Sequence, residues 1–408
     1  MDTIFHRPEL ATALAERLLR PGPLDTALRS GLFVRGMRRT GKTTFVVHDL
    51  IPSLESLGAV TVYVDLWTAP ARSPAEVVHE AVRGAVVELA NPASRALARL
   101  SALKGVQAEA FGTSFGLAVE RLGEPDGPTL AETLVRLVDR ATSDVVLIVD
   151  EVQHALGTEA GRQLMFALKA ARDAVNIRTD SPGHLLFVGT GSHRSLVGEL
   201  TEQRSQAFAG AYSMEFPSLG RDYVEDLLAR IREHADASGH PARLPSVDAA
   251  VAAFETVGHR PEDLLRALEI LGSSAGGIDD PDVLLAPIAA TLREGAADVE
   301  LAKVERLGAV AVATFARLVE GESADAEGER GLFSAATLGA LSRRLGRAVT
   351  SDEVNAALRA LVAENLVMRV GRGRYGVTDP FVRTLARERR ATRRALGLDA
   401  GDGAGPAG

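Results

Sequence analysis

The chain of 408 residues contains no cysteine, which excludes disulfide bonds, thiolate nucleophiles and cysteine-ligated zinc. Long apolar runs are also missing. No stretch approaches the roughly 18 uninterrupted apolar residues that a membrane-spanning helix requires, and the first ten residues contain no apolar signal core. We therefore expect a cytoplasmic protein that has no membrane partner.

Lysine is scarce. Only Lys42, Lys104, Lys169 and Lys303 occur among 46 basic residues, so a lysine within a motif carries more information than a cluster of arginines. The net charge of −8 is unevenly spread, because residues 336–396 hold 13 arginines against 5 acidic residues, a net +8, which leaves −16 on the rest. The overall charge argues against a chain that coats nucleic acid along its whole length.

Residues 1–219 alternate short apolar runs with helical patterns, which predicts an α/β domain built from βαβ units around a largely parallel sheet. The apolar runs are unbroken, as is typical of strands covered by helices on both faces. Residues 105–122 contain period-two alternation, which predicts a hairpin inserted between helices. The predicted strands are Leu32–Arg35, Val60–Asp65, Val145–Asp150, Leu185–Gly189 and Tyr212–Phe216.

From residue 220 the pattern becomes helical, with turn signals near 238–241 and 273–281, which predicts a small helical domain over residues 220–301. Residues 302–396 are predicted to form a winged helix-turn-helix domain. Its predicted elements are helices over 302–318, 336–345 and 351–364, strands over 366–370 and 374–377, and a basic helix from Phe381. Residues 397–408 cannot bury apolar surface and are predicted to be a disordered tail.

Eight residues after the first strand match the phosphate-binding pattern G-x-x-x-x-G-K-[ST] in full, and the helical run Thr43–Leu54 follows them. Glycines let successive backbone N–H groups face the phosphates, and the new helix adds its N-terminal dipole. Lys42 is predicted to bind the β- and γ-phosphate oxygens, Thr43 to bind Mg²⁺, and Thr44 to cap the helix start. The sequence thus predicts an ATP and Mg²⁺ site formed by Gly36, Met37, Arg38, Arg39, Thr40, Gly41, Lys42, Thr43 and Thr44.

A second motif, Asp144–Gln153, is an apolar strand that ends in two acidic residues. Asp150 is predicted to hold Mg²⁺ through a water molecule, and Glu151 to orient and deprotonate the attacking water. Because Glu151 supplies a base, the motif predicts an ATPase rather than a protein that only binds ATP.

The motifs GMRRTGKTT, VLIVDEVQ and FVGTGS, in this order, resemble the AAA+ and related P-loop ATPases of the archaeal type. That group includes replication initiators of the origin-recognition kind, transposition ATPases and signalling ATPases. The resemblance covers residues 4–270 and, more loosely, extends to residue 390. It implies a sheet of order 5-1-4-3-2, a helical lid after Gly220, and packing of Phe5 and Arg7, in the opening Phe5-His-Arg7-Pro-Glu-Leu, against adenine.

The resemblance also implies residues that sense the γ-phosphate. Ser192 falls at the sensor-1 position, with Thr190 as the alternative. Arg260 lies near the sensor-2 position. The family places its arginine slightly later in this segment, and here Pro261 intervenes. Arg266 is therefore the substitute for Arg260.

An arginine finger from a neighbouring subunit would complete the site in a nucleotide-dependent homo-oligomer. Arg204 is the nearest candidate, with Arg194 behind it. His154 and Lys169, which follow the acidic pair, are expected to be structural or surface residues.

The predicted winged helix has two interpretations. The first is duplex DNA binding, with Arg359 on the second helix in the major groove and Arg369, Arg372 and Arg374 on the wing touching phosphates. The basic helix would add Arg383, Arg387, Arg389, Arg390, Arg393 and Arg394. However, Asp352 and Glu353 at the start of the second helix, where Thr350 and Glu353 form a capping box, would repel phosphates. The second interpretation is therefore a module that docks a protein partner.

Two functions follow from these patterns. The first is an ATPase that couples its nucleotide state to DNA association or assembly. The alternative is a signalling switch ATPase whose winged helix docks a partner protein. A metabolic kinase is a weaker third option, because the sequence supplies no acceptor-site motif.

Overall fold

The computed structural model describes residues 4–68, 72–156, 158–192, 194–202, 205–239, 243–273, 280–321, 331–371 and 373–395. The chain divides into two compact units, Met1–Ser218 and Leu219–Gly408. Three predictions fall outside the described residues: Arg204, Arg372 and the tail 397–408. Among the described residues, no helix is both long and apolar enough to cross a membrane.

A five-stranded parallel sheet forms the centre of the N-terminal unit. Its strand order is β2-β3-β4-β1-β5, which confirms the predicted order 5-1-4-3-2 taken from the opposite edge. β3 is buried along its whole length, because helices cover both faces. Its alternate residues face two different cores, Leu147 towards one and Ile148 towards the other. The strands are β1 Leu32–Arg35, β2 Val60–Asp65, β3 Val145–Asp150, β4 Leu185–Gly191 and β5 Tyr212–Glu215.

The helix after the phosphate loop changes its hydrogen-bond spacing along its length. It begins as Lys42–Phe45, widens to a π-helical turn at Val46–Leu50 and continues as Ile51–Ser56. Pro52 has no N–H for the carbonyl group four residues earlier, which accounts for the irregular ladder just before it. The other helices of this unit are Pro8–Leu19, Pro74–Ala90, Arg95–Lys104, Thr113–Glu120, Leu130–Ala141, Gln153–Leu156, Glu159–Asn176 and Arg194–Glu202.

The hairpin predicted over residues 105–122 is wrong. The segment forms a 3₁₀ turn, Ala108–Phe111, and the helix Thr113–Glu120. Its buried side chains recur every three or four residues, at Phe111, Phe115, Val119 and Leu122, and they join the main core of the unit. Helical spacing of large apolar side chains therefore decided the local structure over the short stretch of alternation.

The C-terminal unit begins with the helices Arg221–Ser238, Val247–Thr256 and Pro261–Ser273, in the segment predicted as the lid. The 26-residue helix Pro281–Arg306 follows. Its first half packs against Val247–Thr256 and Pro261–Ser273, while Ala297 and Val304 in its second half belong to the core of the following domain. No helix therefore ends at the boundary predicted between residues 301 and 302.

The remaining elements have the order of a winged helix. Three helices precede an antiparallel pair of strands, and a final helix packs on the same core. Thr350 and Glu353 form the predicted capping box, with both reciprocal hydrogen bonds present. The elements are Ala309–Glu320, Ala335–Leu345, Ser351–Ala363, β6 Val367–Gly371, β7 Arg374–Val377 and Pro380–Ala395.

Candidate functional site

The sheet topology brings the predicted site residues to one edge. β1, β4 and β3 are neighbours and run parallel, so their carboxyl ends lie side by side. The phosphate loop follows β1, the acidic pair Asp150 and Glu151 lies at the end of β3, and Thr190 and Ser192 lie at the end of β4. The carboxyl edge of an open parallel sheet is where α/β proteins bind ligands.

The phosphate loop is curled by left-handed backbone at Arg39, with φ of 63°, and at Gly41, with φ of 85°. Lys42 is only 5% exposed, and its ammonium group donates to the carbonyl oxygen of Gly36 at 2.8 Å and to that of Met37. The lysine is thus folded into the concave side of its own loop. A triphosphate entering the loop would offer the ammonium stronger, charged acceptors than these carbonyls.

Asp150 gathers hydrogen-bond donors from several strands and the loop helix. Its carboxylate accepts from the Thr43 hydroxyl at 2.7 Å, the Tyr63 hydroxyl at 3.0 Å and the Thr190 hydroxyl, and the backbone N–H of Glu151 donates at 3.0 Å. Burial, and secondarily the charge of Asp150, raises the pKa of Tyr63 above its ordinary range. The phenol therefore stays protonated and able to donate. Tyr63 was not predicted, because its residue type in a strand carries no sign of this contact.

Glu151 follows the strand with a positive φ of 56°, an uncommon backbone conformation for a non-glycine residue. Its Oε2 accepts from the Ser192 hydroxyl at 2.9 Å and from the side-chain amide of Gln153, which also donates to Ser192 Oγ at 3.1 Å. Of the two sensor-1 candidates, only Ser192 contacts the Glu151 carboxylate among the hydrogen bonds described. The Thr190 hydroxyl donates to Asp150 and accepts from the backbone N–H of Glu151 at 3.3 Å. Gln153 lies at the end of the motif Asp144–Gln153, but its residue type alone predicts no role for it.

The oxygen atoms of Thr43 and Asp150 fit a particular kind of metal site. Within the described part of the chain, no group of three or more His, Cys, Asp or Glu side chains could hold a metal ion. A hydroxyl beside one carboxylate instead suits Mg²⁺, which typically keeps several waters and binds one or two carboxylates together with substrate phosphates.

The N-terminal segment is anchored to the loop helix by Asp49, which is 5% exposed. Its carboxylate lies 2.7 Å from His6 Nδ1 and accepts from the backbone N–H of Arg7 at 3.0 Å. The Arg7 guanidinium lies over the ring of Phe216 and donates to the carbonyl oxygen of Pro217 at 2.6 Å. A Cβ on Gly36 would lie 3.3 Å from Phe216, so the segment with Phe5 and Arg7 approaches the start of the phosphate loop.

Several predicted residues have other partners. Arg260 pairs with Asp379 at 3.0 Å and with Asp263 at 3.8 Å, all within the C-terminal unit. Its role as sensor 2 stays a prediction, as does that of the exposed Arg266. The side chain of Arg194 lies outside what the structure describes, as Arg204 does entirely.

The two residues expected to be structural or surface groups have local partners. Lys169 pairs with Asp173 on its own helix, at 2.6 Å. His154 packs against Trp67 with 4.7 Å between ring centroids. Burial is the main cause that lowers the pKa of His154, and the imidazole is therefore neutral near pH 7.

The predicted DNA-contacting residues lie on the second helix and on the wing. Arg359 is exposed on Ser351–Ala363, and Arg369 and Arg374 are half-buried on the two strands of the wing. Arg369 is paired with Tyr375 in the strand register, next to a β-bulge that ends at Gly371.

Four arginines of the last helix have partners within the protein. Arg383 and Arg387 donate to the carbonyl oxygen of Gly321 at 3.0 and 3.1 Å, and Arg387 also donates to that of Val319 at 3.0 Å. Arg389 pairs with Asp298, and Arg390 with Glu320 at 2.8 Å. These four arginines bind the C-terminal end of the helix Ala309–Glu320 and neighbouring carboxylates, and their role as DNA contacts stays a prediction. The side chains of Arg393 and Arg394 are not among those described.

Comparison with known proteins finds the same fold without close sequence similarity. No family model matches the chain, and no curated protein matches its sequence. The ORC2 protein of Aeropyrum pernix, solved as ADPNP–ADP complexes, is similar over 97% of this chain and 98% of that one, with a TM-score of 0.51 and 15% identity. Its ADP form is similar over 97% of both chains, with a TM-score of 0.53 and 14% identity. The resemblance to the archaeal AAA+ group is thereby confirmed at the level of the fold.

Proposed function

We propose that this protein is a Mg²⁺-dependent ATPase. The observation that carries the proposal is the hydrogen bond of 2.7 Å between Thr43 and Asp150, which joins the ends of two motifs 107 residues apart in the chain. Beside this bond, Lys42 is buried in the loop, and Glu151 directly follows Asp150 at the end of β3. The similar fold of the ORC2 protein, whose structures hold ADPNP and ADP, supports a nucleotide as the ligand.

Each residue has a chemical task in this proposal. The loop Gly36–Thr44 surrounds the phosphates with backbone N–H groups, and the Lys42 ammonium binds the β- and γ-phosphate oxygens. Mg²⁺, held by Thr43 and Asp150, supplies charge neutralisation when it is bound. Glu151 takes a proton from water as the water oxygen bonds to the γ-phosphorus, the bond to the β-phosphate oxygen breaks, and ADP and phosphate leave.

The substitution Glu151→Gln tests the hydrolytic role. The variant should bind a fluorescent ATP analogue as wild type does, while turnover falls by at least about 100-fold, because a general base typically contributes 10² to 10⁴. Glu159→Gln is the matched control and should leave turnover unchanged, since Glu159 is an exposed carboxylate that pairs with Arg162 on its own helix, Glu159–Asn176. Persistent turnover in Glu151→Gln would show that another base acts.

We further propose that the nucleotide state controls association with duplex DNA through the winged helix in residues 302–396. Arg359 is exposed on the second helix, and Arg369 and Arg374 belong to the wing. In this proposal residues 1–219 form the ATPase core and 220–301 a lid in which Arg260 senses nucleotide. Subunits assemble with ATP, and Arg204 acts on the neighbouring site.

Turnover with and without duplex DNA, at two salt concentrations, tests the coupling. Stimulation should fall steeply with salt, because each phosphate neutralised by the protein contributes roughly −0.9 to the log–log slope. Absence of stimulation, together with no retention on DNA in the presence of a slowly hydrolysed ATP analogue, would contradict the DNA proposal.

Two observations favour a second function, a switch ATPase whose winged helix docks a protein. Arg383, Arg387, Arg389 and Arg390 of the last helix have partners within the protein, and the first turn of the second helix holds Asp352 and Glu353. Both features lower the positive charge available to phosphates. This function predicts ATP-dependent binding of a protein partner at the same surface, with no effect of DNA on turnover.

A further inference from the structure

Arg38 of the phosphate loop contacts two groups outside the loop. Its guanidinium lies over the ring of Trp67, 5.4 Å from the ring centroid, and its Nε donates to Ser192 Oγ at 3.2 Å. Trp67 follows strand β2 and Ser192 follows strand β4. One loop side chain thus joins groups at the ends of two other strands.

The Ser192 hydroxyl is fully used in this arrangement. A hydroxyl has one hydrogen to donate and two lone pairs to accept with. Both lone pairs accept N–H groups, from Arg38 at 3.2 Å and from Gln153 at 3.1 Å, so the hydrogen is left for Glu151 Oε2 at 2.9 Å. Ser192 is 2% exposed, so water competes little for these bonds. Arg38 therefore helps to direct the serine hydrogen at the carboxylate.

Trp67 braces the guanidinium from the other side. Its backbone N–H is held by Asp65 at 2.8 Å, and its ring is flanked by His154. The ring is 55% exposed, and a cation over an exposed aromatic face contributes about 0.5–1 kcal/mol. A flat guanidinium can stack on the ring and still donate from Nε, which an ammonium group cannot do.

We propose that Arg38 is a positioning residue for Glu151, acting through the Ser192 hydroxyl and braced by Trp67. The inference rests on the proposed ATPase function and extends it. Because Arg38 belongs to the loop that surrounds the phosphates, nucleotide in the loop and the orientation of Glu151 are coupled through one side chain. Trp67, the only tryptophan in the chain, reports this coupling.

A double-mutant cycle tests the route through Ser192. Arg38→Ala should lower kcat roughly tenfold or more, because small misplacement of a catalytic group has effects of this order. The dissociation constant of a fluorescent ATP analogue should change less than about twofold, since Arg38 acts on the base rather than the ligand. Ser192→Ala should lower kcat similarly, and the double variant should be no slower than the slower single variant. Multiplying effects, or a loss of affinity instead of kcat, would overturn the proposal.

Tryptophan emission supplies a readout that a purely structural role would not change. A slowly hydrolysed ATP analogue should alter the emission of wild type, and Arg38→Ala should lose this response while still binding the analogue. Arg162→Ala is the control, because it removes an arginine that pairs with Glu159 on the exposed face of the helix Glu159–Asn176, outside the nucleotide site. This control should keep the response.

The outcomes separate the two proposals. A wild-type protein that binds no nucleotide contradicts the ATPase function itself. Wild type that binds and hydrolyses ATP, with an unchanged emission response and kcat in Arg38→Ala, contradicts only the role of Arg38.

Discussion

The two units of the protein each contain a carboxylate with several partners, but the partners differ in kind. In the N-terminal unit, the single carboxylate of Asp150 receives hydrogen bonds from Thr43, Tyr63, Thr190 and a backbone N–H. In the C-terminal unit, the carboxylate of Asp379 is shared by two cations, Arg260 at 3.0 Å and Arg293 at 2.5 Å.

This difference has an energetic consequence. A carboxylate with several donors tolerates the loss of one. Removal of the shared carboxylate would instead deprive the buried Arg293 of its carboxylate partner and leave Arg260 with Asp263 at 3.8 Å. The first arrangement fixes the position of a carboxylate, which the proposed function assigns to Mg²⁺ binding, and the second joins the helices that carry Arg260, Arg293 and Asp379. Substitutions in each unit should therefore have different sizes and different readouts.

The largest effect is expected at Lys42 in the N-terminal unit. Lys42→Ala should weaken ATP binding by at least about 100-fold, because charged hydrogen bonds contribute about 1.5–3 kcal/mol each. Titration with a fluorescent ATP analogue measures the loss. Lys169→Ala is the matched control, since this lysine pairs with Asp173 on a surface helix, and it should bind normally. Near-normal affinity in Lys42→Ala would contradict the phosphate-loop assignment.

The next largest effect is expected at Asp379. The Asp379 side chain is 13% exposed and that of its partner Arg293 is 5% exposed. The Asp379 carboxylate also accepts from the backbone N–H of Phe381 at 2.9 Å. Asp379→Ala should lower the free energy of unfolding by about 3 kcal/mol, the cost typical of removing one partner from a buried pair.

Urea unfolding measures this change, and Asp248→Ala is its control. Asp248 pairs with Arg221 at 2.6 Å but is 84% exposed, so its removal should cost less than about 1 kcal/mol. If both substitutions lower the free energy of unfolding equally, the shared carboxylate of Asp379 stabilises the protein no more than an exposed ion pair does. Nucleotide affinity should be unchanged in Asp248→Ala.

The winged helix provides a third test, because some of its arginines are predicted to contact DNA and others donate to carbonyl oxygens of the protein. The double variant Arg369→Ala, Arg374→Ala should bind duplex DNA about tenfold more weakly, with a log–log salt slope smaller by roughly 0.9 per lost phosphate contact. Arg387→Ala is the matched control. It removes hydrogen bonds to Val319 and Gly321, so it should lower stability by about 1–2 kcal/mol and leave the salt slope unchanged. A slope that changes only in Arg387→Ala would reverse this assignment.

These differences also explain which features the sequence could predict. The strands, the phosphate loop and the acidic pair follow from contiguous residues whose spacing sets the local geometry, and the structure brings Lys42, Thr43, Asp150 and Glu151 to one edge of the sheet. The sheet order came from the resemblance, and the structure confirms it.

Features that depend on distant neighbours were not predictable from residue type. Tyr63 and Gln153 gain their roles only when strands β2, β3 and β4 lie side by side. The last helix has the same arginine-rich sequence whether its arginines contact phosphates or the end of another helix. In residues 105–122, two periodicities overlapped, and the burial of Phe111 and Phe115 selected the helical one.

The smallest effect is expected at Tyr63, because Asp150 has several other hydrogen-bond donors. Tyr63→Phe removes one hydrogen bond to Asp150 and leaves those from Thr43, Thr190 and the backbone. Unfolding should be easier by about 1 kcal/mol or less, the net contribution of one such bond. Turnover should fall less than about fivefold, because an effect of 1 kcal/mol corresponds to that factor.

Tyr212→Phe is the control, as another half-buried tyrosine of the same sheet, whose ring lies 5.2 Å from the Arg17 guanidinium. It should leave turnover unchanged. A loss of activity in Tyr63→Phe as large as that of Glu151→Gln would mean that Tyr63 acts in the reaction itself. The donors around Asp150 would then not be interchangeable, and the contrast with Asp379 would rest on the C-terminal unit alone.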